Sequence, residues 1–172
     1  MKKLSEAASL ILLAVMAWMA WSALHGPNPL PERVATHFDA AGNANAWGSP
    51  GGIVVLPVFG FVIYGISSIV PIFRSFFNYP VKVTPENRER LEALALRLLS
   101  LIKAEALALF LWIERTILQA MRQGNGNFRP GLMPIFLTVV LGTVGIHIAA
   151  MIVVGRPPAN PSVPLPKTSS YQ

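Results

Sequence analysis

The 172-residue chain contains no cysteine. That absence excludes disulfides, thiolate metal sites, thiol nucleophiles and lipidation at a lipobox cysteine. Charge is also scarce. Asp, Glu, Lys and Arg make up 13% of the chain, against roughly 25% in an ordinary soluble domain. There is no Walker loop, no dinucleotide fingerprint and no His-Glu-x-x-His pair. No serine and histidine come with a third, orienting group. Catalysis on small molecules therefore has little support.

What the chain has in place of charge is apolar length. Hydrophobic residues make up 53%, and four runs reach the roughly 18 residues that cross a hydrocarbon core of about 30 Å. They cover about 7–24, 52–77, 96–118 and 132–154. A soluble bundle would show a polar face along every helix, and three of the four runs lack one. The expected fold is all-α: a polytopic integral membrane protein with four transmembrane helices in an antiparallel bundle. Residues 1–156 form this domain, and the proline-rich tail 157–172 is expected to be extended and disordered.

The first run has a basic start and an apolar core, as a signal peptide does. Its length and its large terminal residues, Trp18, Met19 and Trp21, argue against cleavage. Pro57 and Pro71 are expected to kink the second span. Gly60, Gly65, Gly142 and Gly145 are expected at close helix contacts. Thr84-Pro85-Glu86 reads as the start of the third helix, with Thr84 as cap and Pro85 in the first turn.

The formal net charge is +6. In a soluble protein this would suggest nucleic acid. Here the basic residues flank the spans, so the expected partner is the lipid bilayer and no nucleic acid is expected. Lys2, Lys3, Arg74, Lys82, Arg88, Arg90, Arg156 and Lys167 fall on one side, and Arg33, Arg122 and Arg129 on the other. The richer side is expected to be cytoplasmic, with both termini inside. The connection 25–51 then faces outward.

Within the spans, ionisable groups are costly and usually face the bundle interior. Glu105 and His147 lie within about 2 Å in depth at 1.5 Å per residue, so they are expected to form an intramembrane polar pair. Lys103 and Glu114 are eleven residues apart and share a helix face. Lys103 is expected to snorkel toward the inner interface, and Glu114 to close over the outward connection. Tyr64, Ser67 and Ser68 are candidate polar partners, or hydroxyls bonded within their own helix.

The outward connection holds the one dense polar island, residues 37–48, His37-Phe38-Asp39-Ala40-Ala41-Gly42-Asn43-Ala44-Asn45-Ala46-Trp47-Gly48. Pro31 to Ala35 reads as a short helix, and the Asn/Gly-rich remainder as a compact turned loop. Candidate binding residues are His37, Phe38, Asp39, Gly42, Asn45 and Trp47, with Glu114. His37 and Asp39 offer a divalent cation one nitrogen and one oxygen, with His25 and Glu32 nearest to complete a set, but no recognised metal spacing is present. The alternative is structural: His37 and Asp39 bond loop backbone, while Phe38 and Trp47 pack the loop down.

Residues 30–49 resemble the bacterial membrane domain of unknown function at the start of SdpI-type immunity proteins. The shared elements are Leu30-Pro31, His37-Phe38, Gly42 and Gly48-Ser49, directly after the first span. Asp39, Asn45 and Pro50 depart from the family pattern, which usually has Asn, Asp and Lys there. The resemblance implies a multi-pass protein of the bacterial cytoplasmic membrane that protects against, or helps sense, a secreted toxic protein. The resulting expectation is a small membrane binding protein that recognises a peptide, toxin or envelope partner through its outward loop. Two alternatives stay open: a membrane-embedded metal-dependent enzyme using His37 and Asp39, and a small proton-coupled transporter using Glu105 and His147. No pattern names a cofactor, and a homodimer stays open.

Overall fold

The computed structural model describes residues 2–39, 41–123 and 133–156. Four α-helices dominate: α1 (Lys2–His25), α2 (Val55–Ile69), α3 (Arg88–Gln123) and α4 (Met133–Gly155). Two strands, β1 (Val34–Phe38) and β2 (Ala44–Gly48), lie between α1 and α2. Short 3-10 segments, Pro50–Val54 and Val70–Phe76, flank α2. The proline-rich tail and the Gly-Asn connection before α4 lie outside the described residues.

Among the described residues, three helical segments are long and apolar enough to cross a membrane: Leu4–His25, Pro50–Phe76 and Pro134–Gly155. α3 is not among them, because Arg97, Lys103, Glu105, Glu114 and Arg115 interrupt its apolar run. Its 36 residues make a rod of about 54 Å at 1.5 Å rise per residue, which extends beyond the span 96–118 at both ends, as a helix opened near Thr84-Pro85 requires.

α3 is the hub, packing against α1, α2 and α4. Its buried positions Lys103, Leu107, Glu114, Leu118 and Met121 recur at three-, four- and seven-residue steps, which line one face of a helix. Lys103 reaches Glu6 of α1 and Ser68 of α2 at one end of this face. Leu118 and Met121 join Ala20 and Ala23 of α1 at the other. The order of contacts along α3 thus follows that of α1 and reverses that of α2.

Gly60 makes the close crossing expected of it. A Cβ there would stand 3.1 Å from Leu13 Cδ2 and 3.3 Å from Met16 Cε. Gly65, Gly142 and Gly145 correct that expectation, since each faces open space. α4 rests on α3, and its glycines lie away from that seam. Pro57 sits in the first turns of α2, where a missing N–H costs little. Pro71 sits where α-helix gives way to 3-10 geometry after Ile69, with a break at Phe73 (φ −93°, ψ 26°). Thr84 and Asn87 build the start of α3: the Thr84 N–H donates to Asn87 Oδ1 and the Arg88 N–H to the Thr84 carbonyl.

The all-α expectation misses the hairpin. β1 and β2 pair antiparallel, with Val34 opposite Gly48, Ala35 opposite Trp47 and Phe38 opposite Ala44, and with register irregularities around His37. The short helix expected from Pro31 to Ala35 is instead a bend at Glu32-Arg33 leading into β1. Val34, Thr36 and Phe38 are β-branched or aromatic and suit a pleated strand, and this outweighs the weak helical start offered by Pro31.

Candidate functional site

The hairpin stands on a small apolar seat. Val34 of β1, Leu30 and Ile53 pack with Ala20 and Ala23 of α1 and with Leu118 and Met121 of α3. Burying such side chains contributes roughly 1.5–3 kcal/mol each for the larger ones. Two backbone ties hold its base: the Leu30 N–H donates to the Ala23 carbonyl, and Arg122 Nη1 donates to the Asn28 carbonyl. The start of the connection is therefore tied to α1 and α3, and Ile53 packs its far end onto the same seat.

The turn is built by Asp39, the chain's single aspartate. Its carboxylate accepts from the Ala41 N–H at 2.9 Å, the Asn43 N–H at 2.8 Å and Asn43 Nδ2 at 3.2 Å. The Asp39 N–H donates to the Asn43 carbonyl. Gly42 takes φ 86°, a left-handed angle that glycine adopts without steric penalty. The bonds from the Asn43 amide, then from its side chain, hold the exposed Asp39 carboxyl below the usual carboxylate range.

His37 and Asn45 sit on opposite strands, and His37 Nδ1 donates to Asn45 Oδ1 at 2.5 Å. Both are exposed. Trp47 keeps 46% of its surface open, so the protein's own side chains do not bury it. Phe38 is half-buried. The hairpin thus brings His37, Asn45 and Trp47 to an outer surface, while Asp39 and Gly42 shape the turn.

His37 and Asp39 do not converge on a common ligand position. Both Asp39 oxygens are engaged in the turn. His25 stacks on Trp21 at 6.1 Å between ring centroids, and Trp21 on Trp18 at 5.6 Å. Glu32 is exposed in the bend. Among the described residues no group of three His, Asp or Glu side chains is placed to hold a metal ion.

Glu114 does not reach the hairpin surface. It is fully buried on α3, one turn below Leu118, and neither carboxylate oxygen has a hydrogen-bond partner among the described residues. Lys103 does not snorkel either. It is 3% exposed, its Nζ bonds Glu6 Oε1 at 2.6 Å and Ser68 Oγ at 3.4 Å, and it lies 4.6 Å from the Tyr64 ring centroid. The Tyr64 hydroxyl donates to Glu6 Oε2 at 3.2 Å. Sequence reading missed Glu6 here. The available signal was an acidic residue opening an otherwise apolar run.

Glu105 and His147 meet at Thr143 and are not ion-paired to each other among the described residues. Thr143 Oγ1 donates to Glu105 Oε1 at 2.6 Å. His147 Nδ1 donates to the Thr143 carbonyl at 2.8 Å. The hydroxyl one turn before His147 on α4 takes the place expected for the imidazole.

Residues 10–61, from within α1 through the hairpin to the first half of α2, match the domain of unknown function DUF1648. No curated protein and no solved structure gives a significant match. The chain is a multi-pass bacterial membrane protein carrying a DUF1648 domain, a family that includes SdpI-type membrane proteins.

Proposed function

We propose that this protein is a small membrane receptor-like module that recognises a peptide, toxin or envelope protein through the 34–48 hairpin. The observation that carries this reading is the presentation of His37, Asn45 and Trp47 on a hairpin anchored to α1 and α3. A pre-formed recognition surface loses less ordering entropy on binding, and exposed aromatics often anchor interfaces. The likeness to SdpI-type proteins supports the same direction.

In this reading all four helices span the cytoplasmic membrane as an antiparallel bundle, with both termini inside. α3 tolerates Lys103 and Glu105 because α1 and α4 supply partners to them. Lys103 is neutralised by Glu6, and Glu105 is bonded by Thr143. Charge placement supports the orientation. Arg33 and Arg122 mark the hairpin end, while Arg74, Lys82, Arg88 and Arg90 mark the opposite end, which by the basic-loop asymmetry is cytoplasmic.

The test is co-purification from native membranes of the wild-type chain and His37→Ala/Asn45→Ala. A partner retained by the wild type and lost in the double variant supports recognition by the hairpin. An unchanged partner set removes that support.

A further inference from the structure

A groove of about 590 Å³ opens at the end of the bundle opposite the hairpin, between the start of α1, the first half of α3 and the second half of α4. It exists because α1 and α4 grip different faces of α3. Lys103 and Leu107 look toward α1 and α2, and Glu105 toward Thr143 of α4. The stripe Leu94, Arg97, Leu101 recurs at three- and four-residue steps and is covered by neither neighbour.

The groove combines cationic and apolar chemistry. Arg97 is exposed there and makes no ion pair or hydrogen bond among the described residues. Ser100 and Ser5 supply hydroxyls to the wall. His147 gives Nδ1 to the Thr143 carbonyl, which leaves Nε2 without a partner among the described residues. The remaining wall is apolar, including Leu94 and Leu101.

We propose that this groove seats one anionic phospholipid. Its phosphate meets the Arg97 guanidinium, Ser100 and His147 Nε2, and the start of an acyl chain runs along Leu94 and Leu101. A guanidinium fork matches phosphate geometry, and its free state here leaves a positive charge to be matched. Arg97 lies six residues before Lys103 on α3, about 9 Å nearer the start of the helix at 1.5 Å per residue. The apolar wall beside the cation favours a lipid phosphate over a free one, which brings no chain to cover Leu94 and Leu101.

Native mass spectrometry of the full chain in micelles tests this, using an equimolar titration of phosphatidylglycerol and phosphatidylcholine. The wild type is expected to retain one phosphatidylglycerol with a preference of about fivefold or more, the effect of one well-placed cation. Arg97→Gln/His147→Gln loses the preference, Leu101→Trp loses the bound lipid by filling the wall, and Arg122→Gln at the hairpin end keeps both. Circular dichroism confirms unchanged helicity in each. No preference in the wild type, or an unchanged preference in Arg97→Gln/His147→Gln, overturns the proposal. Displacement of the lipid by millimolar inorganic phosphate, or a dimer peak in its place, overturns it as well, by assigning the groove to a free anion or to a second copy.

Discussion

Lys103 Nζ lies 2.6 Å from Glu6 Oε1, an ion pair between side chains 97 positions apart that ties α3 to the start of α1. The two ends differ in burial: the lysine side chain is 2% exposed and the glutamate 33%. Glu6→Gln strands a buried cation, whereas Lys103→Met leaves a glutamate with partial access to solvent and a Tyr64 hydroxyl. We expect Glu6→Gln to cost toward the lower end of roughly 3–5 kcal/mol, more than Lys103→Met. The double variant is expected to be less damaged than Glu6→Gln alone. Unfolding in mixed micelles, read as a double-mutant cycle, checks the order. Equal and additive losses would show that the pair carries no coupling.

Glu114 presents the opposite case on the same face of α3, a buried carboxyl with no partner for either oxygen among the described residues. An unsatisfied buried polar group costs roughly 1–3 kcal/mol. Glu114→Met keeps similar length and removes that cost, so the variant is expected to unfold at a higher temperature than the wild type. A lower unfolding temperature would mean that the carboxyl has an essential partner in the native membrane.

Asp39 links the hairpin to pH. Its folded carboxyl is held below the unfolded value of about 3.9, chiefly by the Asn43 amide. Stability from such a group is complete above the unfolded value and is lost as pH falls through the folded one. Protection of the Ala41 and Asn43 amides, relative to their intrinsic exchange rates, should therefore decrease below about pH 4. Asp39→Asn retains an acceptor but not the titration, so its exchange profile should lose the acid step. An acid step that survives in Asp39→Asn would assign it to another group.

Gly60 and Gly65 lie five residues apart on α2 in different surroundings. Gly60→Val meets Leu13 and Met16 at the α1 crossing, and overpacking of this kind costs roughly 1–3 kcal/mol. Gly65→Val enters open space and should stay within about 0.5 kcal/mol. Thermal unfolding of the two variants side by side decides the point, and equal losses would contradict the crossing.

The helices were legible in the sequence because apolar length and terminal signals are local. Thr84-Pro85 marked the approach to α3, and the shared face of Lys103 and Glu114 followed from helical spacing alone. The hairpin was not legible. Its strands are five residues each, and the second, Ala-Asn-Ala-Trp-Gly, has no β-branched residue. Its pairing depends on the Asp39 turn and the seat under Val34. Partners across the bundle were also hidden. Depth arithmetic placed Glu105 and His147 at one level, but helix rotation decides which side chain faces the seam, and it selects Thr143. The Glu6–Lys103 pair needs the packing order of α1 on α3, which no local pattern contains.

The hairpin's role in recognition is tested most directly in intact cells, with a photo-crosslinking residue at Trp47 and, as control, at Phe59 on the exposed face of α2. A discrete protein adduct is expected from position 47, absent from position 59 and lost when His37→Ala/Asn45→Ala is added. No adduct at position 47, or one that persists in the double variant, would contradict it.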